Sequence, residues 1–358
     1  MCFVNLEKKV PPEHPLRAIK RLADAALGRL SPLFDAMYAK SGRYSIPPER
    51  LLKAKLLAAL FSVRSDRQMC EMVEYNLLFR WFLDMNMSEE AWDHSVFSKN
   101  QQRLLEQEVA RLFFEEVVLL ARENGLISSE HFSVDGTLIE AWASVKSFMP
   151  RDGSGAREVE KSKKDDPGNP TVNFRGQKRT NLTHVSTSDP ESRLARKGNN
   201  VGAKPSFGAH ALMENRNGLL MELRVTSATE VTEPAVALDL LERQKMDRRI
   251  EPQSVGADKG YHTKAFVGAL RERGIRPHVA AVEGRRTPGL DGHTLGRAGY
   301  RLSQRIRKRA EEIFGWMKTV GGLRKTRYRG IARNQMFAWL VGAAYNLLRI
   351  SRLLAAPT

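Results

Sequence analysis

The sequence predicts an α/β protein, a mixed sheet with helices on both faces, preceded by an all-helical N-terminal domain. Three observations carry this. Up to about residue 126 the apolar residues recur at helical spacing, with no strand-like alternation. From Glu130 the texture changes to short alternating segments bounded by turn residues. Beyond residue 230 helical and strand segments alternate, as in parallel strands joined by helical crossovers.

Pro47-Pro48 opens a helix whose Leu51, Leu52, Ala54, Leu56, Leu57, Leu60 and Phe61 crowd one broad face. Ser65 with Gln68 makes a capping box for a second helix carrying Met69, Met72 and Val73. The run Leu77 to Phe82 is apolar enough for core. Asp93-His94-Ser95 reads as the cap of another helix, with Val96, Phe97, Leu104 and Leu105 inward. Arg64, Arg67, Lys99 and Arg103 lie among these helices. They suit a helix-turn-helix-like DNA reader and a plain bundle with solvated charges equally well, because no turn signature separates the two.

Phe132, Val134, Leu138 and Ile139 suggest a strand, although Asp135-Gly136 between apolar flanks is by itself a hairpin-turn signal. Phe207 to Met213 and Leu219 to Val225 form a hairpin through Asn215-Arg216-Asn217-Gly218. Thr232 to Arg243 is a helix with Glu233 and Pro234 in its first turn. Val255 to Asp258 is a short strand, Lys264 to Arg273 a helix closed by Gly274, and Pro277 to Val282 another strand. A long helix bearing Glu311 follows. Between Ser144 and Lys204 the pattern lapses into Gly, Pro, Ser, Asn, Lys and Arg, a loop long enough to be functional or disordered. Its basic content suits a grip on DNA. The expected division is a DNA-binding helical domain over 1–126, a catalytic α/β domain over 127–335 with the basic insertion near 144–204, and a C-terminal helix over 336–358.

Hydrophobic residues make up 42% and charged residues 28%, which excludes a disordered chain. The net charge of +17 points to a polyanionic partner, nucleic acid before an anionic membrane. Between Arg285 and Arg333 there are 14 Lys plus Arg against 3 Asp plus Glu, so the charge is concentrated on one stretch. Two cysteines cannot build a disulfide framework, no Cys/His cluster has zinc spacing, and Met1 to Leu6 is not followed by an apolar leader. A cytoplasmic, DNA-associated protein without a membrane span is expected, since the longest apolar stretch, Met336 to Leu348, is too short to cross a bilayer.

Three acids stand where a packed fold normally excludes charge: Asp135 in Ser-Val-Asp-Gly-Thr, Asp258 in Val-Gly-Ala-Asp-Lys-Gly-Tyr, and Glu311 within a basic helix. Each alone reads as a turn or a solvated residue. The helix changes that. Ile306, Ala310, Ile313, Met317 and Val320 form one apolar stripe, while Gln304, Arg307, Glu311 and Lys318 share another side. With the stripe docked on the sheet, Glu311 reaches the edge where Asp135 and Asp258 lie. Carboxylates suit Mg²⁺, which prefers hard oxygen ligands and keeps positions open for substrate. Asp189 and Asp291 are expected to be loop caps or turns, and Trp142 and Trp316 to be core, with a wedge between bases as the alternative for Trp142. His131, His210 and His262 lack metal-ligand spacing.

These residues resemble a family: bacterial insertion-sequence transposases with a DDE triad, of the group carrying a Y-R-E-K signature. Arg307, Glu311 and Lys318 match its R-E-K part in identity and spacing, Asp135 and Asp258 look like its first and second catalytic aspartates, and Gln304 stands where its tyrosine belongs, with Tyr300 one turn earlier. Arg80-Trp81-Phe82, Asp93-His94-Ser95 and Ala343-Ala344-Tyr345-Asn346-Leu347 are also similar to members of the group. The resemblance implies a ribonuclease-H-like catalytic domain. It also implies two Mg²⁺ ions (with Mn²⁺ as substitute) held by Asp135, Asp258 and Glu311, and cleavage at element ends followed by strand transfer. Arg307 and Lys318 would hold phosphates, with Arg301, Arg305, Lys308, Arg324, Lys325, Arg327 and Arg329 as further DNA contacts. The implied partners are double-stranded DNA, as terminal inverted repeats and as target, and a second copy of the chain in a homodimer on DNA. The alternative is a catalytically inactive, transposase-derived DNA-binding regulator.

Overall fold

The computed structural model describes residues 5–37, 45–106, 108–151, 179–198 and 201–355. Eight helices come first: α1 (Leu6–Lys9), α2 (Pro15–Arg29), α3 (Ser31–Met37), α4 (Pro48–Leu60), α5 (Asp66–Tyr75), α6 (Leu77–Phe82), α7 (His94–Glu106) and α8 (Val109–Glu123). Three of their starts, those of α4, α5 and α7, are the expected ones. Pro48 opens α4, Gln68 N donates to Ser65 Oγ (3.0 Å), and Asp93 Oδ1 accepts from Ser95 N (2.8 Å). The residues of the Arg80-Trp81-Phe82 motif are buried. The Arg80 guanidinium donates to the carbonyls of Asn86 and Glu89 (2.7 Å each), and Trp81 Nε1 donates to Glu7 (2.6 Å). Val96, expected inward, is exposed, since the face of α7 turned to the core is set by Phe97, Asn100 and Leu104. The side chains of Arg103 and Leu105 lie outside the described residues.

The strands are β1 (His131–Glu140), β2 (Phe148–Pro150), β3 (His184–Ser186), β4 (Arg193–Ala195), β5 (Lys204–Glu214), β6 (Leu219–Ser227), β7 (Ser254–Ala257) and β8 (Arg276–Val279). The central strand β1 pairs antiparallel with β5, which pairs antiparallel with β6; on its other side β1 pairs in parallel with β7, and β7 with β8. The crossovers are α9 (Glu233–Arg248) and α10 (Lys264–Glu272). An antiparallel hairpin unit followed by two parallel strands added beside the first is the ribonuclease-H-like order expected. The Asp135-Gly136 turn does not form: β1 runs unbroken from Phe132 opposite Glu214 to Glu140 opposite Ser206. Eleven residues of β5 supply a partner for every peptide of that stretch, and this outweighs the local turn preference.

After β8 come α11 (Gly292–Gly296), α12 (Ala298–Ile306), α13 (Arg309–Thr319) and α14 (Ile331–Ala355). The single long helix expected around Glu311 is therefore two, broken at Arg307–Lys308, and β8 ends three residues earlier than expected. The helix α14 packs against α2, α4 and α8 as well as β6, so it is buried on several sides. It also closes the free edge of β6. Asn346 pairs with both the N–H (2.9 Å) and the carbonyl (2.8 Å) of Leu220, and Gln335 with Val225 N (2.6 Å) and Leu223 O (2.7 Å). Two side-chain amides thus stand in for a missing neighbouring strand.

Of the 144–204 insertion, residues 152–178, 199 and 200 lie outside the described residues. The rest is not patternless: β2 pairs with β3, and β4 extends the sheet along β5. Asp189 caps a distant element. Its Oδ1 accepts from Gly330 N (3.2 Å), while Glu191 accepts from Ile331 N (2.9 Å), which together satisfy donors at the start of α14. No helix among the described residues is long and apolar enough to cross a membrane.

Candidate active site

The site forms where β7 leaves β1. Ser133 lies opposite Gly256 in the parallel register, so two residues further Asp258 would face Asp135. By then β7 has ended at Ala257 and the chain has turned into the short helical turn Lys259–Tyr261. Asp258 starts that turn by accepting from Gly260 N (2.8 Å), and Asp135 Oδ1 accepts from Gly136 N (2.8 Å). A gap at the carboxyl ends of parallel strands is where α/β sheets place their ligands.

The third acid comes from α13. Ala310, Ile313 and Met317 are buried as expected, and Ile306 and Val320 are half-buried. This docking leaves Glu311 exposed in the first turn and turns Lys318 toward β1, where its Nζ donates to Thr137 Oγ1 (2.6 Å). Arg307 sits in the helix break, its Nε donating to Gln304 Oε1 (3.0 Å), while Gln304 Nε2 donates to the His278 carbonyl on β8. The residue in the tyrosine's place thus braces Arg307. Tyr300 donates to Val279 O (3.0 Å).

The electrostatics bind these residues into one site. The Asp135 carboxyl is pushed up to about 6, by burial first and then by the charges of Asp258 and Glu311, against the pull of the Gly136 N–H and Arg307. Burial, with the charges of Lys197 and Arg324, brings Lys318 down to about 8 against the pull of Asp135. Among the described residues none of the three acids has an ion-pair partner, and no three of His, Cys, Asp and Glu already form a cluster able to hold a metal ion. The acids are near enough to feel each other's charge, yet they are not packed as a finished chelate. By donor chemistry they fit a hard divalent cation: all are carboxylates, and uncompensated.

Sequence reasoning missed Glu233. It reads as an ordinary acid in the first turn of a helix, a place where acids are common. In the fold its Oε1 lies 2.5 Å from where a Cβ on Gly136 would stand. Burial and the charges of Asp258 and Asp135 raise its carboxyl, with Lys197 opposing. Tyr261 was missed as a site neighbour too: it is 1% exposed, and burial and the charges of Glu233, Asp135 and Asp258 hold its phenol well above the usual range. No motif spacing marks either residue.

The basic candidates divide by what they touch. Arg301, Arg305, Lys308, Arg324 and Arg329 are exposed and have no ion pair among the described residues. Lys325 lies 3.7 Å from Glu140. Arg327 is committed internally, to Asp66 (3.2 Å) and the Arg64 carbonyl. Trp142 is 52% exposed and lines a cleft of about 640 Å³ with Arg64, Lys318, Arg324 and Lys325, whereas Trp316 packs edge-on against Tyr345 (5.6 Å). Asp291 caps α11 through Thr294 N (2.8 Å). His131 and His278 are pushed down to about 4 by burial, so both are neutral near pH 7.

Two family models match the chain: a transposase domain (DUF772) over residues 4–103 and a transposase DDE domain over residues 171–347. Asp258 and Glu311 fall inside the second match and Asp135 ahead of it. No curated protein matches the chain. Among solved structures, the piggyBac transposase synaptic complex with hairpin DNA is 8% identical over 94% of this chain and 75% of that one, with a TM-score of 0.40. The Mos1 transposase paired-end complex with left transposon end is 13% identical over 91% and 84%, with a TM-score of 0.22. The Mos1 mariner paired-end complex with Mn is 13% identical over 96% and 97%, with a TM-score of 0.23.

Proposed function

We infer, from a chain that belongs to the DDE transposases, that Asp135, Asp258 and Glu311 are its catalytic carboxylates and that it cuts and joins DNA at the ends of a mobile element. One observation carries the reading: Asp135 lies in the gap left by β7, with the charges of both Asp258 and Glu311 bearing on it. These three residues would hold two Mg²⁺ ions, or Mn²⁺ in their place, with Asp135 between the other two. Such a pair supplies Lewis-acid charge to the phosphate and lowers the pKa of the attacking water or 3′-hydroxyl.

The protein's own residues do the rest. Lys318, held against Thr137, and Arg307, braced by Gln304, place two cations beside the acids to fix a phosphate. Arg301, Arg305, Lys308, Arg324, Lys325 and Arg329 extend a positive surface along the DNA backbone, and Arg327 anchors the segment that carries three of them and itself. The substrates are duplex terminal inverted repeats and target DNA. The working form is a homodimer on DNA, because two ends must be joined. No observation favours a chain that binds DNA without cutting it.

The test is cleavage of a duplex carrying the element's ends, with and without Mg²⁺. Asp135→Asn, Asp258→Asn and Glu311→Gln should each abolish cutting while DNA binding persists. Full cleavage by any one of them removes that residue from the triad.

A further inference from the structure

Gly136 has no side chain, and the space that one would fill belongs to Glu233: its Oε1 lies 2.5 Å and its Cδ 2.7 Å from the position of a Cβ there. Neighbouring strand residues face opposite ways. Gly136 therefore meets α9 on one face of the sheet, while Thr137 meets Lys318 of α13 on the other. Asp135 shares the α13 face. Between two fully paired strands the sheet itself would separate the two sides. Here β7 has ended at Ala257, and the gap beyond it is open to both.

Glu233, solvent-exposed at the start of α9, lays its carboxylate against Gly136 beside that gap. Asp258 and Asp135 are the charges that bear on it most, and it has neither an ion pair nor a hydrogen bond among the described residues. Its helix begins at this residue, so no turn of α9 precedes it to screen the carboxylate. A second group lies beside the same space, on the turn Lys259–Tyr261 that packs against α9. Tyr261 is 1% exposed, the charges of Glu233, Asp135 and Asp258 all fall on its phenol, and its hydroxyl makes no hydrogen bond among the described residues. A hydroxyl under the charge of three carboxylates yet hydrogen-bonded to none of them leaves room for a ligand between them. The protein carries 58 Lys and Arg against 41 Asp and Glu, yet leaves these acids unmatched. Unpaired carboxylates gathered in this way suit a hard divalent cation.

We propose that Glu233 is a fourth carboxylate of the metal site, reaching a divalent cation through the gap beside Gly136 from the face opposite Glu311. This rests on the reading of Asp135 and Asp258 as metal-holding residues. It assigns Gly136 a part as well: any side chain there pushes the Glu233 carboxylate off the site.

The experiment is Mn²⁺ binding to the purified full chain without DNA, read from the loss of the free-ion electron paramagnetic resonance signal. Circular dichroism verifies that each variant is folded. Glu233→Gln should weaken Mn²⁺ binding about tenfold, in line with the loss of one metal-orienting carboxylate. Gly136→Ala should weaken it comparably although every carboxylate is retained, a result that a merely structural Glu233 would not give. Glu251→Gln, at an exposed acid beyond the far end of α9, should leave binding unchanged. Asp135→Asn separates the two levels of the argument. If it binds Mn²⁺ as the wild type does, the reading of the site itself fails. If it loses Mn²⁺ while Glu233→Gln and Gly136→Ala keep wild-type affinity, the site stands and the role of Glu233 is overturned.

Discussion

Replacing Asp66 by Asn should destabilise the protein by about 3–5 kcal/mol, the cost of stripping a buried charge of its partner. Asp66 is the hub of a polar cluster. Its Oδ1 accepts from Lys55 Nζ (3.0 Å) and Arg327 (3.2 Å), and its Oδ2 from Ser98 (2.9 Å) and Gln101 (2.6 Å). The Lys55 side chain is only 2% exposed and its ammonium lies 4.7 Å from the Phe97 ring centroid, so without Asp66 it is left in apolar surroundings without its carboxylate partner. Urea unfolding followed by tryptophan fluorescence measures the loss. Adding Lys55→Met removes the stranded charge while filling its volume, and should recover most of the stability. The pH dependence has a definite sign. Burial raises the Asp66 carboxyl, but the charges of Lys55 and Arg327 outweigh it and hold the group below its ordinary value of 3.8. Its contribution is complete well above pH 3.8 and fades as pH falls through the lower folded value. The gap between wild type and Asp66→Asn should therefore be flat from pH 7 to about 5 and close below about 4. A loss under about 1 kcal/mol, or a double variant as unstable as the sum of the singles, refutes the reasoning.

Arg307→Ala and Lys318→Ala should each weaken DNA binding and flatten its dependence on salt by about one unit of slope, as expected when one phosphate is no longer neutralised. An unchanged slope for both rules out a phosphate-binding role. Asn346→Leu should cost about 1–3 kcal/mol for each group left unpaired at Leu220, measured as a shift in the urea midpoint, because the N–H and carbonyl it bonds are buried and have no strand beside them. A wild-type midpoint shows that water or a shifted helix satisfies them.

Local signals served well where local chemistry decides. Pro48, Ser65, Asp93, Thr263 and Gly274 mark helix ends by side-chain bonds or backbone freedom within a few residues, and the fold uses each of them. The failures come from long-range closure. Asp135-Gly136 looks like a turn because the pairing that overrules it comes from residues more than 60 positions away. The break at Arg307–Lys308 follows from two demands on one stretch: Gln304 must reach the His278 carbonyl on β8, and Ala310, Ile313 and Met317 must dock near β1. No helical period shows such a conflict. The three acids stand out as candidates in the sequence because their flanking residues are distinctive. Glu233 does not, since its meaning lies in the missing Cβ of a glycine 97 positions earlier.

The same closure explains how an acidic site can persist inside a basic protein. On the function proposed above, the Lys and Arg of 285–333 would draw DNA in, but phosphates reaching the gap beyond β7 would meet carboxylates that carry no ion pairs among the described residues. Repulsion there opposes the attraction around it, and only a cation seated between acids and phosphate reverses its sign. Lys318 and Arg307 are too few to do so, and burial already holds Lys318 down to about 8, so part of its charge is lost as pH rises through that value. On that function divalent ions and DNA would be linked ligands, each raising the affinity of the other by the same factor. A basic surface alone binds DNA anywhere along its length; acids left bare midway along β1 and just beyond β7 would make firm seating at that point conditional on the metal.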